Sequence, residues 1–95
     1  MTVSNKQFAF IQSIHAFNLK KEFDMAYPLF KLLKNELNLL PDIYILIDYA
    51  LKLYESDKKI NKNQLVNISG FIILLALDEI DENLELTIQQ IKLCL

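Results

Sequence analysis

Residues 43–54 and 65–77 are apolar on almost every side at helical spacing. A helix of that kind has no face to give to water, so it must lie at the centre of a fold or at an interface. Two such segments need amphipathic neighbours to cover them. The rest of the chain is rich in Leu, Lys and Glu and holds one glycine and two prolines in 95 residues. Those residue types favour helix. The expected fold is all-α, a compact bundle or orthogonal array of four to five short helices in one domain over residues 1–95.

Periodicity and capping residues place the elements. A first helix is expected over 4–19, with Ser4 as its N-cap. A second is expected over 24–38, with Pro28 near its start and Asn38 at its end. Met25, Leu29, Leu32, Leu33 and Leu37 supply its apolar spacing, and Lys31, Lys34 and Glu36 its wet face. Pro41 opens a third over 41–56, since proline fits the first helical position. Residues 56–62 read as a loop, with Asn61 or Asn63 capping a fourth helix over 64–78. Gly70 lies inside that helix, where it is expected to admit a close helix approach. A fifth helix starts at Asp81 or Asn83, with Leu84, Ile88, Ile91 and Leu95 as a buried stripe.

The charge pattern excludes several classes. All ten basic residues are Lys, and the net charge is −2. Arginine carries most bidentate base and phosphate contacts, so a nucleic-acid partner is not expected. The longest apolar run, 71–77, is far short of the roughly 20 residues that span a membrane. The start of the chain shows no basic run followed by a long apolar stretch, so no secretory signal is expected. The single cysteine, Cys94, forms no internal disulfide. A cytoplasmic location is the expectation.

Residues that could carry chemistry are few. His15 is the one histidine, and no neighbour at helical spacing completes a catalytic pair with it. It is expected to be semi-buried or at the surface. Cys94 falls at a helix C-terminus, the wrong end of the dipole for a thiolate, and is expected to pack as a small apolar residue. No clustered Cys and His ligands, calcium loop or glycine-rich phosphate loop is present, so no cofactor, metal or enzymatic activity is expected.

The distinctive segment is 78–85. Asp78, Glu79, Asp81, Glu82 and Glu85 follow the apolar fourth helix directly, and the next basic residue is Lys92. Residues 63–95 carry one Lys against five acids, a net of −4. The plain reading is a solvated turn whose acids cap the fifth helix. The sharper reading is a face for a basic protein partner. Tyr44, Tyr49 and Tyr54 accompany it on the third helix, with Tyr27 before them, and at least one is expected at the surface. The expected function is protein binding, most concretely by an immunity protein or antitoxin. Its acidic face would occlude the active cleft of a basic toxin or nuclease domain. The alternative is an oligomeric helical adaptor or chaperone-like subunit.

Overall fold

Ser4 starts the first helix by a reciprocal cap. The Gln7 N–H donates to Ser4 Oγ at 3.0 Å, and the Ser4 N–H donates to Gln7 Oε1 at 3.0 Å. This satisfies two backbone donors that the helix leaves open. The computed structural model describes residues 1–56 and 62–95. Among these the chain forms α1 (Asn5–Leu19), α2 (Phe23–Lys34), α3 (Pro41–Glu55), α4 (Gln64–Ala76) and α5 (Glu82–Cys94), with no strand. The expected loop at 56–62 and Asn61 fall largely outside the described residues. Asn63 occupies the N-cap position of α4 without a side-chain cap bond.

α3 is the hub, packed against α2, α4 and α5, while α1 bridges α2 and α4. The two most apolar segments therefore lie inside, as their composition demands. Ile43, Leu46, Ile47 and Ala50 of α3 are fully buried, and Leu65, Ile68, Ile72 and Leu75 of α4 are at most 2% exposed. Pro41 takes the first position of α3. The surface is 5947 Å², close to the roughly 5,700 Å² that surface scaling gives for a folded chain of this mass.

The second helix departs from expectation in length and in phase. It ends at Lys34, not Asn38. The chain then turns so that Leu39 becomes buried, with Asn38 at φ 66°. Its core face is Ala26, Phe30 and Leu33, whereas Met25, Leu32 and Leu37 are 55%, 57% and 76% exposed. The helix carries apolar side chains around more than half its circumference, and α1 and α3 cover one edge of that arc. Pro28 lies in the second turn, where it deprives the Asp24 carbonyl of its i+4 donor. Asp24 as a residue is exposed.

Two helices end without the glycine that such ends favour. Lys21 after α1 and Asp78 after α4 both take φ 59°. Lys21 N–H donates to Asn18 O at 3.0 Å and Glu22 N–H to Phe17 O at 2.9 Å. Asp78 N–H donates to Leu75 O at 3.2 Å and Glu79 N–H to Leu74 O at 2.9 Å. This is the double-bonded left-handed cap, and it stops α4 at Ala76, two residues before the expected end.

The core holds two buried polar residues among those described, Asn18 and Ser69. Tyr54 donates its hydroxyl to Asn18 Oδ1 at 2.7 Å, and Asn18 Nδ2 donates to Leu65 O at 3.4 Å. Ser69 Oγ lies 3.0 Å from the same Leu65 carbonyl and 2.7 Å from His15 Nδ1. The described buried side-chain polar atoms all have partners, as burial requires.

Candidate functional site

The acidic turn is built by the end of one helix and the start of the next. At its entry, Thr2 closes the open end of α4: its N–H donates to Ala76 O at 2.8 Å and its Oγ1 to Leu75 O at 2.9 Å. At its exit, Asp81 caps α5 by accepting the Leu84 N–H at 2.8 Å. Glu82 and Glu85 occupy the first turn of α5, where the positive end of the helix dipole favours carboxylates. The fifth helix thus starts as the sequence implies. Its stripe is Leu84, Ile88 and Ile91, while Leu95 lies past the last turn and is 46% exposed.

Capping accounts for three of the five acids and not for the other two. Asp78 and Glu79 lie at the C-terminal end of α4, where the dipole disfavours negative charge. Asp78 also holds a left-handed backbone, which costs an L-residue roughly 1–2 kcal/mol. All five side chains are exposed. Among the described residues, the ion pairs join Lys34 to Asp48 at 2.9 Å and Lys92 to Asp42 at 3.5 Å, and neither uses these five carboxylates. Ile80 stands among the acids and Leu77 and Leu86 flank them in sequence, exposed by 42%, 37% and 57%. The turn is an acidic surface set with apolar side chains.

The tyrosines do not join it as free surface groups. All four are half-buried, and each hydroxyl is bonded within the chain. Tyr27 donates to Glu55 at 3.1 Å, Tyr49 to Gln64 at 3.3 Å, Tyr54 to Asn18, and Tyr44 to the Glu36 carbonyl. They staple α3 to its neighbours instead.

His15 is half-buried, and burial lowers its pKa below the ordinary 6.5. Its partner, Ser69, is 54 positions away in sequence and could not be read from local spacing. The pair resembles a nucleophile and its base, but Ser69 is 0% exposed and its Oγ also contacts the Leu65 carbonyl. No substrate atom reaches it there, so the contact joins α1 to α4. Cys94, expected to pack, is exposed instead. It lies on the rim of a shallow groove of about 370 Å³ between α4 and α5. Tyr49, Ile68, Phe71 and Ile91 line this groove with Gln64, Asn67, Thr87 and Gln90, and no charged side chain takes part.

No described helix is long and apolar enough to cross a membrane. Compared with known proteins, the chain matches no family model, no curated protein and no solved structure.

Proposed function

We propose that this chain is a small non-catalytic binding protein of the immunity-protein or antitoxin kind, acting in the cytoplasm. Its partner is a basic toxin or nuclease domain, and its mechanism is occlusion. Asp78, Glu79, Asp81, Glu82 and Glu85 pair with Lys and Arg around the partner's cleft, while Leu77, Ile80 and Leu86 supply apolar contact. One observation carries the reading. Asp78 and Glu79 stand where the α4 dipole opposes them, so capping gives no reason for their charge. Charge complementarity of this kind accelerates encounter and fixes register.

The test is titration calorimetry against a basic toxin or nuclease domain encoded beside this gene, at low and high salt. The variant D78N/E79Q/E82Q/E85Q keeps the Asp81 cap. It is expected to bind at least about tenfold more weakly, with a flattened salt dependence, because removed charges no longer contribute screened attraction. Unchanged affinity rejects the acidic face.

A second reading, an oligomeric helical adaptor or chaperone-like subunit, is favoured by the exposed Met25, Leu32 and Leu37 beside α2. Met25 and Leu32 stand seven residues apart on α2 and so lie along one line, and exposed apolar side chains that form a contiguous patch mark contact surfaces. Light scattering combined with binding of a hydrophobic dye checks it. A monomer that leaves the dye dark rejects that reading.

A further inference from the structure

Leu86 and Leu93 of α5 are 57% and 88% exposed. They stand seven residues apart, which is two helical turns, so they lie along one line. At 100° per residue that line falls opposite the buried stripe of Leu84, Ile88 and Ile91. Between the two leucines the outward residues are Gln89 and Gln90, which carry no charge. One flank of the line carries Glu85 toward the N-terminus of α5 and Lys92 toward its C-terminus, also seven residues apart.

We propose that a second copy of this chain covers this face, with the two α5 helices antiparallel about a two-fold axis. The charge order selects the direction. In an antiparallel pair Glu85 stands beside the partner's Lys92, and Lys92 beside the partner's Glu85. In a parallel two-fold pair the equivalent flanks lie on opposite sides of the seam, so Glu85 and Lys92 find no complement there. A two-fold interface repeats every contact, so one complementary pair yields two. Lys92 is free to take part, because its 3.5 Å pair with Asp42 is half-exposed and such pairs hold weakly. A single helix face about 20 Å long buries less than the roughly 1,200 Å² of a stable interface, so the dimer is weak and reversible. The inference does not rest on the proposed toxin partner, although Glu85 and Leu86 belong to both surfaces.

Sedimentation velocity on the full chain, from about 10 μM to about 1 mM, reads the equilibrium directly. The expected result is a rise in weight-average mass from 11.1 kDa toward twice that value. L93S is expected to weaken association at least about tenfold, since it removes one of the two apolar anchors that each copy contributes. Leu93 is so exposed that L93S retains the helix content and melting temperature of the unsubstituted chain, which circular dichroism checks. K92E is expected to weaken association severalfold, and E85K/K92E to restore it. Asp42 adjoins position 92 in both variants, so the recovery isolates the pair across the axis. A monomer at every concentration, an L93S variant that associates normally, or a failure of E85K/K92E to restore what K92E removes overturns the proposal.

Discussion

Tyr54 of α3 donates its hydroxyl to the buried Asn18 of α1 at 2.7 Å, and Asn18 passes the connection to the α4 backbone at Leu65. Three helices meet through one carboxamide. N18A is expected to cost about 2–3 kcal/mol, because it strands the Tyr54 hydroxyl and opens a small void. Y54F is expected to cost about 1–2 kcal/mol by leaving the Asn18 oxygen without its donor. In N18A/Y54F both polar partners are gone, and the double-mutant cycle in urea is expected to show a loss well below the sum. Additive losses would mean that the two residues act independently.

Burial raises the Tyr54 phenol well above the ordinary 10. The neutral phenol is favoured by the fold, so its contribution is complete below pH 10 and declines as pH rises beyond that value. Alkaline unfolding followed by circular dichroism is expected to begin at higher pH in Y54F than in the unsubstituted chain.

His15 gives the acid side of the profile. Its folded pKa is lowered by burial, so the folded state prefers it neutral and the unfolded state binds the proton first. Its contribution is complete above the ordinary 6.5 and is lost as pH falls from there through the lowered folded value. H15Q, which keeps a hydrogen-bonding group near Ser69, is expected to show a flatter urea midpoint between pH 7.5 and pH 5. Parallel profiles would contradict this assignment.

Gly70 is not required by close packing. A Cβ built there meets His15 Cε1 at 3.6 Å, ordinary van der Waals contact, and its backbone φ is not positive. G70A is therefore expected to stabilise the fold by about 0.5–1 kcal/mol, the usual gain of alanine over glycine inside a helix. A loss in thermal stability would show that α1 and α4 cannot accommodate the added methyl.

Asp78 separates stability from binding. D78G relieves a left-handed L-residue and removes a carboxylate from the negative end of α4, so it is expected to gain about 1 kcal/mol. K21G tests the same backbone shape without the acidic surface, and is expected to gain a similar amount. If Asp78 serves a basic partner, D78G binds that partner more weakly while melting higher. A variant that melts higher and binds equally well would assign Asp78 no part in recognition.

Much of the architecture is legible because it depends on local patterns. Ser4, Pro41 and Asp81 mark helix starts through backbone chemistry within a few residues. The buried interiors of α3 and α4 follow from side chains that leave no wet face. The phase of α2 was not legible, since its apolar arc is wide enough that Met25, Leu29 and Leu32 fit helical spacing as well as Ala26, Phe30 and Leu33 do. Neighbouring helices decide between the two edges. The burial of Asn18 and Ser69 was equally hidden, because Tyr54 and His15, which satisfy them, lie 36 and 54 positions away. For the acidic face, local spacing left Asp81 and Asn83 as alternative starts of the fifth helix, and the structure places the cap at Asp81. The opposition between Asp78 and the α4 dipole needed the observed end of that helix.

The close contacts of α5 are chiefly with α3, whereas α1 to α4 are cross-braced by several pairings and by the Tyr54–Asn18–Leu65 connection. In hydrogen-exchange terms the fifth helix is expected to open as its own cooperative unit, released by giving up one seam. Its amides should exchange before those of α3 and α4. A ligand that grips Glu82 and Glu85 therefore holds the segment that opens at the lowest free energy, and its binding would register first as slowed exchange along α5.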